Sequence, residues 1–348
     1  EAVWSGGVPR ATVQPGRAEL LGGAVRWSRI AWQAAAQPGG FAQIEAEADL
    51  EPLRLAPLLA RAQPDFGWGG DLTIAGHVKL RSAPAFSADV VIERSAGDLS
   101  VTDEIGTRPL GLTDLRFGLN AENGTWSFTQ GLAGKALGVV AGAEVVRTSP
   151  QATWPAADAP LTGVLELRVD DLGTWGNWVP PGWRLGGALH TSASFGGRFG
   201  APEYTGEIEG SRLAIRNFLQ GVNVSDGDVA IQLKGGSAHI ERFTAKAGGG
   251  SVRLEGDMSL GEAPKAVLKL TADKFQLLGR VDRRIVVSGA GQLQLDRKTL
   301  AFDGQFDVDE GLIDFTRSDA PSLSDDVLVV RAKDAPSPAA AASAAASP

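Results

Sequence analysis

The residue types that do most enzyme chemistry are scarce in this sequence. Its 348 residues include three histidines, His77, His190 and His239, and no cysteine. Disulfides, thiolate nucleophiles, zinc fingers and iron–sulfur clusters are therefore excluded, and three scattered imidazoles make no histidine-rich metal centre. Each histidine stands among ordinary strand residues and reads as solvated or locally bonded. Gly134-Lys135 is followed by Ala136, so the phosphate-cradling loop fails, and neither a G-x-S-x-G elbow nor an H-E-x-x-H pair occurs. Asp303, Asp307, Asp309 and Glu310 form the densest acidic stretch but lack the ligand order of a calcium loop. Asp307 and Glu310 are the sole weak pair for acid–base work on a glycan, which requires carboxylates facing each other across a cleft. Arg280, Arg283 and Arg284 form one basic knot. It can meet lipid phosphates or a partner's carboxylates, or pair with Asp282 and guard a strand edge. Trp175, Trp178 and Trp183 flank Pro180-Pro181-Gly182, where they can insert into lipid or pack a small helix over a sheet end. With 33 basic against 41 acidic residues the net charge is −8, which argues against nucleic acid as a partner. The chain reads as no enzyme, with no cofactor and no metal site.

The elements that carry these residues are mostly strands. Val229, Ile231 and Leu233 alternate with Ala230, Gln232 and Lys234. Val252 and Leu254, Leu268 and Leu270, Leu293 and Leu295, and Phe302 and Phe306 repeat the pattern against charged or polar neighbours. Period-two alternation of this kind marks antiparallel strands with one dry and one wet face. Asn123-Gly124, Gly235-Gly236 and Gly248-Gly249-Gly250 are the turns between them. Helical spacing is confined to Leu55-Leu58-Leu59-Ala62, to Leu172-Trp175-Gly176-Val179, and to a further turn expected over 273–278. No run of about 18 apolar residues exists to span a bilayer as a helix.

The three helix-like pieces are each followed by a turn and a strand entered through Gly70, Gly187 or Gly291, at offsets of 117 and 104 residues. A repeated unit follows, giving a β-rich part over 1–48, units over 49–170, 171–272 and 273–331 (the last incomplete), and an Ala/Ser/Pro tail over 332–348. That tail cannot bury a core and is expected to be a disordered linker.

So few helices cannot cover so many strands. The expected fold is mostly β, an elongated, repetitive antiparallel, solenoid-like sheet curled into an open apolar trough (a β-taco). Val229, Ile231, Leu233, Val252, Leu254, Leu268, Leu270, Leu293, Leu295, Phe302 and Phe306 are expected to line it. A long apolar trough suits acyl chains or unfolded amphipathic strands, neither of which calls for catalysis.

Short motifs in order along 49–330 carry a family likeness. They include Trp68-Gly69-Gly70-Asp71-Leu72, Ser95-Ala96-Gly97-Asp98-Leu99, Trp178-Val179-Pro180-Pro181-Gly182-Trp183, Gly279-Arg280-Val281-Asp282-Arg283-Arg284 and Asp309-Glu310-Gly311-Leu312-Ile313-Asp314-Phe315. On these the chain resembles the TamB family of translocation-and-assembly-module subunits, in the AsmA-like superfamily, over the region preceding and partly overlapping the family's C-terminal domain. The resemblance implies a periplasmic protein of a Gram-negative bacterium, held to the inner membrane by a helix absent from this chain. It implies work with the outer-membrane barrel TamA, through a C-terminal domain expected to lie outside the chain. It also implies phospholipids and nascent outer-membrane proteins as partners, and a role in outer-membrane biogenesis, autotransporter assembly and secretion. The alternative is a chaperone-like platform for barrel strands that moves no lipid.

Overall fold

The computed structural model describes residues 2–5, 8–20, 22–35, 42–103, 106–180, 182–260, 264–296 and 299–314. Contacts divide the chain into Glu1–Leu312 and Ile313–Pro348. The expected linker, 332–348, lies outside the described residues.

The first unit is built almost wholly of strands. In order they are β1 (Ala2–Ser5), β2 (Val8–Val13), β3 (Gly16–Leu20), β4 (Gly23–Gln33) and β5 (Gln43–Arg54). Helix α1 (Ala56–Ala62) and a 3-10 turn at Pro64–Phe66 lead to β6 (Trp68–Gly70), β7 (Thr73–Arg81), β8 (Ser87–Ala96), β9 (Leu99–Asp103) and β10 (Gly106–Pro109). Next come β11 (Leu112–Glu122), β12 (Thr125–Gly134), β13 (Gly138–Arg147) and β14 (Leu161–Val169). After a 3-10 segment at Leu172–Trp178 follow β15 (Trp183–Arg198), β16 (Ala201–Asn217), β17 (Val222–Gly235) and β18 (Ser237–Ala247). The last are β19 (Gly250–Ser259), β20 (Lys265–Gly279), β21 (Arg283–Asp296) and β22 (Thr299–Ile313).

All but three strands form one antiparallel sheet, and neighbours in sequence are neighbours in space. β4 pairs with β5, β5 with β7, β7 with β8 and β8 with β11. From β11 each strand pairs with the next as far as β21, and β22 lies beside β21. At the other end β2 and β3 share one edge of β4, and β1 pairs with β2. Short turns dictate this meander, because a two-residue turn reverses the chain onto its own neighbour. Asn123 at φ 49° and Gly124 at φ 77° supply the doubly positive turn that joins β11 to β12. The sheet does not close on itself. It curls where β17 and β20 run past the tip of the β18–β19 hairpin, and there Gly279 N–H donates to Gly221 C=O at 2.8 Å.

β6, β9 and β10 form a separate small sheet. Asp98 ties it to the main one: its carboxylate accepts the backbone N–H groups of Leu99, Gly111 and Leu112 at 2.8–2.9 Å. A core of Ala56, Leu72, Leu99, Val101, Leu110, Leu112 and Leu137 fills the join, with Leu59, Trp68 and Trp175 against it. A second core gathers Phe86, Trp126, Val146 and Leu161, and Phe86 and Trp126 stack at 5.1 Å.

Two helical expectations hold in position, the second as a 3-10 rather than an α segment. The third is corrected. Residues 273–278 continue β20. Phe275, Gln276 and Leu278 pair with Val287, Val286 and Ile285 of β21, and Phe275 is buried among Ala247 and Ala272. Pairing and burial in the strand outweigh a helical turn too short to be stable alone. Gly187 and Gly291 lie inside β15 and β21 rather than at strand starts.

Candidate functional site

Residues directly opposite each other in an antiparallel ladder share a face, so the register can be read across the sheet like rungs. One rung runs Leu50, Gly76, Ile92, Phe117, Gln130, Gly142, Leu165, Ala193, Gly206, Leu233, Ala238, Met258, Ala266, Leu295. The rung beside it runs Ala48, Val78, Val90, Leu119, Phe128, Glu144, Gly163, Phe195, Tyr204. A third begins Leu115, Leu132, Val140, Leu167, Thr191, Ile208 and continues through Ile231, Ile240, Gly256, Leu268 and Leu293. One face is thus apolar from β5 to β21. It is only partly covered: Val78, Ile92 and Phe117 are 38%, 38% and 44% exposed. A lone polar pair interrupts these rungs among the described residues between β12 and β13, where the Gln130 amide donates to the half-buried Glu144 carboxylate.

The eleven residues singled out from the sequence fall as follows. Val229 on β17, Leu254 on β19 and Leu270 on β20 share a rung with Phe243. Ile231, Leu268 and Leu293 share the next, and Leu233 and Leu295 the one beyond. Val252 pairs with Ala245 and Ala272. Phe302 and Phe306 stand on the last strand with rings 5.8 Å apart. Val229 and Leu268 are buried, Leu295 and Phe302 are exposed, and the other seven are half-buried. Before residue 150 the alternation does not mark which side chains share a face. There the alternation is broken by glycines and by register shifts at Leu50/Leu53 and Leu112/Asp114. Ile92, Phe117 and Phe128 were missed for that reason.

The opposite face is wet, with hydrogen-bonded and ion-paired side chains. His77 meets Asp89 at 3.0 Å, His239 meets Asp257 at 2.7 Å, Arg29 meets Glu45 at 2.8 Å, and Arg26 meets Glu51 at 2.9 Å. The Arg17 guanidinium, hydrogen-bonded to Glu51, holds that carboxyl below its usual range, with Arg26 adding to the effect. The acidic stretch on β22 is locally engaged as well: Asp309 accepts from Ser288, and Glu310 meets Arg284 at 3.1 Å. The arginines of the basic knot are ion-paired. Arg280 Nε donates to Asp282 at 2.8 Å, which holds that carboxyl below its usual range, and Arg283 approaches the same carboxylate at 3.3 Å. Among the described residues no group of three or more acids or histidines is placed to hold a metal ion.

Residues 241–348 match the family model described as the TamB C-terminal domain. No curated protein and no solved structure matches the chain. The TamB match begins at Glu241, inside β18, and so corrects the expectation that the C-terminal domain lies outside the chain. β19 to β22 lie within the matched stretch, and β19 to β21 carry the rungs on. The match supports involvement in outer-membrane assembly and envelope biogenesis. No helix among the described residues is long and apolar enough to cross a membrane.

Proposed function

We propose that the apolar face carries phospholipid acyl chains along the sheet, between the inner and outer membranes, and that this supply supports outer-membrane protein and autotransporter assembly and secretion. The observation that carries the reading is the largely apolar register of rungs from β5 to β21, with large side chains such as Ile92 and Phe117 left partly bare. Acyl chains need no directional partners. A surface of this kind takes them by removing apolar area from water, at about 25 cal/mol per Å². TamA, reached through the TamB-type segment, and anchorage at the inner membrane complete the proposal. Native mass spectrometry of the purified chain tests it: bound phospholipid is expected, and a lipid-free chain from a phospholipid-rich extract would count against it.

One observation favours the second reading, a platform for nascent barrel strands. Among the described residues the sheet is open, and β22 ends it with a long strand whose residues are almost all exposed. An unpaired edge is a template for another strand. Crosslinking probes on β22 that capture outer-membrane proteins, with none capturing lipid on the apolar face, would favour this alternative.

A further inference from the structure

The basic knot visible in the sequence is spent on Asp282 and Glu310, but a second arginine cluster, scattered in sequence, is not. Arg184 on β15 and Arg216 on β16 are direct cross-strand partners, and the next residue in that row is Asn223 of β17. Arg212 stands beside them at a break in the β15–β16 register and has a positive φ of 52°. The three guanidinium side chains line one cavity of about 390 Å³ with Gly186, Gly187 and Phe218, and no carboxylate lines it. No salt bridge among the described residues engages any of the three.

This arrangement works against folding. Like charges directly opposite each other in a ladder repel, and a non-glycine residue at positive φ is held there by its surroundings. No ion pair among the described residues compensates it. The compensation missing from the site is an anion, and a guanidinium cluster matches phosphate oxygens in a bidentate fashion.

The same end of the sheet is capped by bare apolar side chains. Phe218 and Leu219, in the β16–β17 turn, are 73% and 72% exposed, and Val281 in the β20–β21 turn is 76% exposed. The two turns are fastened together: Gly279 N–H donates to Gly221 C=O, and Arg280 Nη1 donates to Leu219 C=O at 2.6 Å. Phe218 belongs both to this tip and to the arginine cavity. Apolar tips beside unneutralised cations are the elements of a surface that sits at a charged lipid interface.

We infer that this end of the sheet is a docking site for an anionic phospholipid surface. Arg184, Arg212 and Arg216 take headgroup phosphates, and Phe218, Leu219 and Val281 enter the acyl boundary. The site shares no residue with the apolar rungs and does not rest on their proposed lipid cargo. Each can fail without the other.

Vesicle flotation of the full 348-residue chain tests it. The expected result is flotation with equimolar phosphatidylglycerol and phosphatidylcholine, and none with phosphatidylcholine alone. R184Q/R212Q/R216Q should weaken binding about a hundredfold, at roughly a factor of five for each arginine near the surface. The charge-matched R116Q/R242Q/R253Q should bind like the parent. F218S/L219S alters only exposed turn side chains, so it keeps the proposal testable should the arginine variant fail to fold, and it should also reduce flotation. Equal losses in both arginine triples, unchanged flotation of F218S/L219S, or equal binding to both vesicle types would overturn the inference. So would full displacement by inorganic phosphate, which would make the cavity a free-anion site.

Discussion

Phe117→Asp puts a charge on the apolar face at a point where the fold has least to lose. Phe117 is 44% exposed, and its rung neighbours are Ile92 and Gln130. A phenylalanine side chain offers about 200 Å² of apolar surface, so about 90 Å² of Phe117 remains for a bound acyl chain. At about 25 cal/mol per Å² that area is worth about 2 kcal/mol, or roughly 30-fold in affinity. The aspartate adds a desolvation penalty wherever the acyl chain covers it, so the loss should exceed that figure. Phe117→Ala, without the charge, should lose less. Thr129→Asp adds the same charge to the same strand pair on the wet face and should change nothing. The assay is equilibrium binding of a fluorescent-acyl phospholipid to each variant, with far-UV circular dichroism as the check on folding. A folded Phe117→Asp that binds lipid as tightly as the parent refutes the reasoning, as does a Thr129→Asp loss of the same size.

Three further outcomes follow from the geometry. Gly256→Ala should cost about 2–4 kcal/mol in urea unfolding, because Gly256 has φ +147° and an added Cβ would lie 2.2 Å from the Val267 carbonyl oxygen; Gly249→Ala, which meets nothing within 4 Å, should stay within about 0.5 kcal/mol of the parent. Asp98→Ala removes the acceptor of three backbone N–H groups and should cost about 2–4 kcal/mol, read as early hydrogen exchange in β9 and at the start of β11. The carboxyls of Glu51 and Asp282 are held low by Arg17 and Arg280. Their stabilisation is therefore complete above the unfolded carboxylate pKa near about 4 and is lost as pH falls through the lower folded values; urea midpoints should decline on acidification below that point, less steeply in Glu51→Gln.

Most of the second half was legible from residue types alone. From Val229 to Leu295 the alternation is regular, and a period of two fixes which side chains share a face. The ladder then places them in common rungs. The first half was harder to read because small residues stand where large apolar ones would mark the face: Gly76 and Gly142 sit on the same rung as Phe117 and Leu165. The segment 273–278 misled because a six-residue window of DKFQLL fits helix and strand alike; pairing to β21 decided between them. The arginine site was hidden by sequence distance. Arg184 and Arg216 become neighbours through the β15–β16 register, while the closely spaced Arg280, Arg283 and Arg284 are each ion-paired.

The central claim is that acyl chains lie on one face of this sheet. Photoreactive residues at successive positions of a single strand test it directly, since Arg116 and Phe117 point to opposite faces of β11, as do Arg253 and Leu254 of β19. Crosslinking in envelope membranes should yield phospholipid adducts at 117 and 254 and none at 116 and 253. Adducts at all four positions alike, or protein adducts alone at 117 and 254, would contradict the account.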